Sequence, residues 1–419
     1  MKTGWSWKIC GWSRSGPDRR IMSPEELAFV SSPEGAALLD KLAAEPLTPD
    51  THLAVAARLR EHLEPGMAAA LLETALLRQR ATRKFARAAR MFFTRNGLEQ
   101  ATAEVVATHR ARRYANAGIQ TVADLGCGIG GDAIAMASAG AEVIAVDREW
   151  LHVAMARTNA NAYDVGERVL PVLADLTELP PFPVGGFFFD PARRTVTGAR
   201  LAPGRRLRSV DDYLPPLSLI DRWHPLTPDG AVKVSPGIDY AELPPETEVE
   251  FVSLGGEVKE AVLWYGRLRT AATRRATLLP NGDTLTDLEP GEAAADSPRA
   301  YLYEPDGAII RAHLVGQLAC RLGASLLDPQ IAYLAVDAPV STSFACGYQI
   351  EDYFPFQLKR LRTYLRERNV GTVTIKKRGS PLDVDVLRQA LRLRGADHRI
   401  IFLTQVMGRP TVLIGKTLA

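Results

Sequence analysis

With 419 residues, 46% of them apolar and 24% charged, and a net charge of only +3, the chain has the make-up of a globular protein with two or three domains. No stretch approaches the roughly 18 uninterrupted apolar residues of a membrane-spanning helix, so a helical membrane protein is excluded. Cys10, Cys127, Cys320 and Cys346 lie far apart with no CxxC pair and no His at ligand spacing, so neither a disulfide scaffold nor a metal site is expected, and a reducing cytoplasm fits best.

Residues 1–21 carry Trp5, Trp7 and Trp12 among Arg and Gly without the apolar core of a secretory signal, and are expected to be a disordered extension. Met22-Ser23-Pro24-Glu25-Glu26 reads as a start, with Ser23 as N-cap and Pro24 in the first helical position. From there to residue 94, apolar residues recur at helical spacing, as in Leu53, Ala56, Ala57 and Leu59, and Pro46, Pro49 and Pro65-Gly66 divide the run into short helices. Thr94-Arg95-Asn96-Gly97 interrupts the pattern, and Leu98–Arg113 reads as one further helix.

From Thr121 the period changes to short β-rich runs alternating with helical segments, which predicts an α/β domain with a doubly wound, largely parallel sheet over residues 95–268. Seven strands are expected: Thr121–Leu125, Glu142–Val146, Val169–Leu173, Gly186–Phe189, Ala231–Val234, and Val249–Leu254 as an antiparallel edge partner of Val258–Tyr265. Residues 269–300, rich in Thr, Pro, Gly and Asp, read as a linker or β insertion. Residues 301–419 read as a separate α+β module with helices near Ile309–Leu322, Phe356–Arg368 and Asp383–Arg394 and strands near Ile331–Val336, Thr372–Lys377, Arg399–Leu403 and Thr411–Ile414.

The first strand runs into Gly126-Cys127-Gly128-Ile129-Gly130-Gly131 and then a helix. Glycines there let the backbone turn sharply and approach a ligand, and the helix start offers free N–H groups. The loop alone also fits a dinucleotide-binding GxGxxG. The flanking acids separate the two readings: Asp124 precedes the loop where a pyrophosphate would be repelled but a cationic methionyl group accepted, Asp147 ends the second strand, where a carboxylate can take ribose hydroxyls, and Asp175 follows the third, placed for an adenine amine. Gly126, Gly128, Gly130, Asp124, Asp147, Asp175 and Leu176 are therefore the candidate cofactor-binding residues.

The fourth strand ends Phe187-Phe188-Phe189-Asp190-Pro191-Ala192-Arg193-Arg194, at the sheet edge where open α/β folds place their chemistry. With these motifs the chain resembles the class I S-adenosylmethionine-dependent methyltransferases, Rossmann-like enzymes, and in particular actinobacterial-type proteins that join this domain to a C-terminal THUMP-like domain. The resemblance implies S-adenosylmethionine as cofactor and Asp190 with the carbonyl of Pro191 as acceptors for a target amine. Ala192 and Arg193 depart from the Pro-aromatic pair of amine-methylating relatives, and Arg193 and Arg194 become candidate contacts for phosphate or base. Phe187–Phe189 are expected to be sheet core, and Gln100, Thr102, Lys259 and Glu260 are weaker candidates for the cleft.

Positive charge is concentrated. Residues 78–113 hold ten Arg/Lys against Glu99 and Glu104, residues 193–208 six Arg and no acid, and residues 358–378 eight against Glu367. Three such windows favour a polyanionic partner. THUMP domains in related enzymes bind RNA, so RNA is the expected partner and Lys376 and Lys377, at a strand end, are candidate contacts. The rival readings are a small-molecule or protein methyltransferase and a non-catalytic RNA-interaction protein that binds the cofactor.

Overall fold

The computed structural model describes residues 22–193 and 213–418. The extension expected over residues 1–21 lies outside them. Four helices open the described residues, α1 (Pro24–Val30), α2 (Pro33–Ala43), α3 (Pro49–Arg60) and α4 (Pro65–Ala81), each with a proline at its start where a missing N–H costs nothing. Ser23, Ser32 and Thr48 cap the first three through their hydroxyls. Around α4, Leu71, Leu72, Ala75 and Leu77 are buried, and their core is continuous through Phe85 and Phe93 with the helices of the next unit.

The expected single helix over Leu98–Arg113 is two, α5 (Arg95–Gln100) and α6 (Glu104–Asn116). The reason is Lys84, whose ammonium donates to the carbonyls of Leu98, Glu99 and Ala101 at 2.7, 3.0 and 2.8 Å. A cation at a helix C-terminus satisfies orphan carbonyls and opposes the negative end of the dipole, so α5 stops there.

All seven expected strands form: β1 (Thr121–Leu125), β2 (Glu142–Asp147), β3 (Val169–Leu173), β4 (Gly186–Phe189), β5 (Gly230–Val234), β6 (Glu248–Leu254) and β7 (Glu257–Tyr265). The count of seven needs correction, because β8 (Arg274–Leu279) and β9 (Asp283–Thr286) from the Thr/Pro/Gly-rich segment extend the sheet to nine strands, ordered β9-β8-β6-β7-β5-β4-β1-β2-β3. β6 is therefore not an edge strand: it pairs antiparallel with β7 and parallel with β8. Helices α7 (Gly131–Ser138) and α8 (Trp150–Ala162) follow β1 and β2. The order changes direction at β1, flanked by β2 on one side and β4 on the other, which opens a crevice at the strands' carboxyl ends. Phe187, Phe188 and Phe189 are fully buried in β4, as expected of a strand covered on both faces.

A second, seven-stranded sheet comprises β10 (Tyr301–Pro305), β11 (Ser325–Asp328), β12 (Ile331–Val336), β13 (Ala345–Pro355), β14 (Val370–Lys377), β15 (Asp397–Val406) and β16 (Arg409–Thr417), in the order β11-β12-β10-β13-β16-β15-β14. The helix expected over Ile309–Leu322 is split, into Gly307–Arg311 and Val315–Leu322, at His313 with φ of 55°. Both pieces face the first sheet: Ala308, Ile309 and Leu318 share a core with Phe251 of β6 and Leu285 of β9. The helices Leu358–Glu367 and Val384–Leu391 cover β14–β16 through a separate core of Leu361, Leu365, Leu387 and Ile401.

Candidate active site

The glycine loop is left-handed at three points, with φ of 91° at Gly126, 54° at Gly128 and 85° at Gly130, a region that side chains penalise. Each glycine has its own surroundings. A Cβ at Gly130 would lie 2.9 Å from the Cα of Ala156 on α8, and one at Gly126 3.3 Å from the carbonyl oxygen of Asp190. At Gly128 nothing lies within 4 Å, so that stretch of backbone faces open space. The loop is tied to β2 because the N–H groups of Gly126 and Cys127 both donate to the carbonyl of Val146.

The three acids stand at the ends of adjacent strands in distinct environments. Asp124 is 1% exposed, and its Oδ2 has no partner among the described residues. Burial, reinforced by the nearby carboxylates of Asp132 and Asp190, pushes its carboxyl well above the usual range. Asp147 accepts from the backbone N–H of Gly128 and of Glu149, both at 2.9 Å. Burial opposes its charge, but His152 and these two N–H groups outweigh that and hold its carboxyl below the ordinary range. Asp175 accepts from the hydroxyl and N–H of Thr177, which lower it likewise, and the following Leu176 is buried.

Asp190 and the buried Pro191 end β4. Asp190 Oδ2 accepts from the ammonium of Lys233 on β5 at 2.7 Å, and the same ammonium donates to the hydroxyl of Thr102 at 3.1 Å. Beneath them Arg110 of α6, 1% exposed, is ion-paired with Asp132 of α7 and Glu260 of β7 and lies 4.2 Å over the Phe188 ring. Thr102 is thus at the site and Glu260 at its base, whereas Gln100 is exposed and Lys259 pairs with Glu257. Lys233, Arg110 and Asp132 were not legible as site residues. The available signal was a lysine between Val232 and Val234 in a central strand, where a cation is out of place without a partner.

The backbone of Arg193 pairs with Tyr213 in a short antiparallel ladder, and Arg194 lies outside the described residues. Lys376 is turned onto Glu304 of β10, which also holds Arg378, while Lys377 is exposed and donates to the carbonyl of Leu382. Of the basic windows, residues 194–208 of the second lie outside the described residues, and the first is partly engaged. In the first, Arg78 donates to the carbonyl of Met91, Lys84 caps α5, and Arg87, Arg95, Arg110 and Arg113 pair with acids. Among the described residues no helix is long and apolar enough to cross a membrane.

Over 354 residues, 80% of this chain and 92% of the relative, the sequence is 36% identical to a protein described as an uncharacterised S-adenosylmethionine-dependent methyltransferase from two strains of Mycobacterium tuberculosis. The chain belongs to the S-adenosylmethionine-dependent methyltransferases. S-adenosylmethionine is accordingly the cofactor of this methyltransferase, and the expected α/β architecture with a THUMP-like C-terminal part stands. Its fold is shared with a crystal structure from Porphyromonas gingivalis W83 described as a candidate methyltransferase, with a TM-score of 0.74 and 23% identity over 95% of this chain and all of that one. Segment profiles match as well: a THUMP domain-like family over residues 345–417, an RNA cap guanine-N2 methyltransferase family over 119–204, and a domain family of unknown function over 23–81.

Proposed function

We propose that this methyltransferase acts on RNA and methylates an exocyclic amine of a base held against Asp190 and the carbonyl of Pro191. One observation carries the reading: the glycine loop and the end of β4 meet, with Gly126 packed against the Asp190 carbonyl, so the donor cradle and a carboxylate acceptor share one crevice. S-adenosylmethionine, when bound, supplies a methyl group on a cationic sulfur. In this reading Gly126, Gly128 and Gly130 form the cradle, the unpartnered Oδ2 of Asp124 accepts from the methionyl end, Asp147 takes the ribose hydroxyls, and Asp175 with Leu176 borders the adenine. A buried acceptor without a donor is costly, so the orphan atom at Asp124 fits a ligand that brings one. Asp190 accepts from the target N–H and aligns its lone pair, since an aromatic amine is a weak nucleophile and gains most from positioning.

RNA as substrate is supported by the name of one matching family, RNA cap guanine-N2 methyltransferase, and by the match to the THUMP domain-like family, since THUMP domains in related enzymes bind RNA. The test is transfer of labelled methyl groups into total RNA from cells lacking the protein, followed by mass spectrometry of nucleosides. Asp190→Ala should still bind S-adenosylmethionine and lose transfer by roughly 10²–10³-fold. Full turnover in that variant removes the assignment.

A small-molecule or protein substrate is favoured by one observation, the internal pairing of Lys84, Arg87, Arg95, Arg110, Arg113, Lys376 and Arg378, which leaves fewer free cations than the sequence suggests. RNA binding falls steeply with salt, and a flat response selects this second reading.

A further inference from the structure

Lys233 stands in β5, between β4 and β7, with Val232 and Val234 on either side buried to 1% and 0% exposure. Its own side chain is 11% exposed. A buried ammonium is tolerated only where partners replace its water. Here burial opposes the charge, but Asp190, Glu260 and Asp132 outweigh it, so the proton is held more firmly than usual. Arg110, which opposes that gain, is itself spent on Asp132 and Glu260.

The bond to Asp190 is one-sided. Oδ2 of Asp190 accepts a hydrogen bond from the lysine ammonium at 2.7 Å, while Oδ1 has no partner among the described residues and the side chain remains 27% exposed. A second N–H of the same ammonium donates to Thr102 in the turn between α5 and α6, 3.1 Å away, and Lys84 holds the same turn by donating to the carbonyl of Ala101. One ammonium therefore joins the end of β4, the middle of β5 and the segment leading into the methyltransferase sheet.

We propose that Lys233 is a positioning residue of the methyl-transfer site: it holds Oδ2 of Asp190 so that Oδ1 alone is presented to the target, and it registers the Thr102 turn against the strand end. Nothing in the sequence motifs or the family matches assigns Lys233 a role. The proposal rests on the reading that Asp190 accepts from the target. A free carboxylate rotates between two equivalent oxygens, whereas one pinned by a charge-assisted bond offers a single acceptor in a fixed direction. Lys233 acts through Asp190, so its contribution exists only while that carboxylate is present.

The experiment is a double-mutant cycle on the full chain with Lys233→Met, Asp190→Asn and the double variant. It follows methyl transfer into RNA, with calorimetric binding of S-adenosylhomocysteine and thermal melting alongside. Lys233→Met should leave the S-adenosylhomocysteine Kd within about twofold and lower kcat by roughly 30-fold, with a smaller change in KM, as expected for loss of a charge-assisted contact felt during transfer. In the Asp190→Asn background the same substitution should cost less than about threefold, because coupled residues are not additive. Lys233→Met with near wild-type kcat overturns the proposal, as does an equal loss in both backgrounds. Asp190→Asn with undiminished kcat instead removes the assignment of Asp190, and this proposal with it. Should Lys233→Met fail to fold, Lys233→Gln, which keeps a donor and loses the charge, enters the cycle under the same criteria.

Discussion

The carboxylate of Asp147, at the end of β2, accepts the backbone N–H of Gly128 at 2.9 Å, so the acid of the second strand and the open apex of the glycine loop form one rigid unit. Its other oxygen is engaged by the N–H of Glu149. Asp147→Ala removes both contacts and leaves the loop to find its own conformation. With each charge-assisted bond worth about 1.5–3 kcal/mol, S-adenosylmethionine should bind roughly 10–100-fold more weakly, measured by calorimetry. An unchanged Kd would mean that Asp147 neither shapes the loop nor meets the ligand.

What the sequence made legible here was local. The glycine loop, Asp124, Asp147, Asp175 and Asp190 all follow directly from strand ends, and strand ends are read from periodicity and turn residues over a dozen positions. Lys233, Arg110, Asp132 and Glu260 meet only because β5, α6, α7 and β7 are brought together by the sheet order, and each sits in a pattern that an ordinary strand or helix would also show. The break between α5 and α6 was hidden for the same reason, since the cap is a lysine 14 residues before the first carbonyl it binds. β8 and β9 were obscured by composition: Arg274–Leu279 lies in a segment whose prolines and glycines read as linker, and its pairing with β6 is non-local.

Arg110 gives a stability test. It is 1% exposed and neutralises Asp132 and Glu260 from two neighbouring elements. Removing one member of such a set strands charge in the interior, which costs about 3–5 kcal/mol. Arg110→Met keeps an apolar stem but neither the charge nor the guanidinium over the Phe188 ring, so a fall of that size in urea-unfolding free energy at neutral pH is expected. A loss below about 1 kcal/mol would show that the two acids find other partners or take up protons.

Glu250, fully buried on β6, makes stability depend on acid. Burial opposes its charge, but His109, Arg113 and Thr277 outweigh that and hold its carboxyl down to about 2 against an ordinary value of 4.5. A depressed folded-state value contributes stability that is fully present above the unfolded value and is lost as pH falls from about 4.5 toward about 2. That contribution is worth roughly 3 kcal/mol. Urea midpoints measured between pH 7 and 3 should fall more steeply in the wild type than in Glu250→Gln, which is less stable at pH 7 because Trp264 and Arg113 lose their acceptor. Parallel curves for the two proteins would rule out this source of acid sensitivity.

The basic windows separate into cations that hold the fold and cations free to meet a polyanion, and that division predicts which substitutions alter RNA binding. Arg80, Arg83 and Arg90 are exposed and form no ion pair among the described residues, and they flank Lys84, whose ammonium lies close enough to Lys233 for repulsion between them to weaken its hold on a proton, after burial. That stretch of chain therefore carries cations that form no ion pair among the described residues. If RNA phosphates lie along it, replacing all three arginines by serine should reduce the slope of log K against log salt by about 2, since each neutralised phosphate contributes roughly 0.7–0.9. Lys376→Ala should behave differently. Its partner Glu304 is left with Arg378 and the hydroxyl of Tyr348, so the melting temperature should fall while the slope stays as in the wild type. A slope unchanged by the arginine substitutions but reduced by Lys376→Ala would reverse the division, placing the RNA path on the second sheet and making the Lys376–Glu304 pair one that opens to bind.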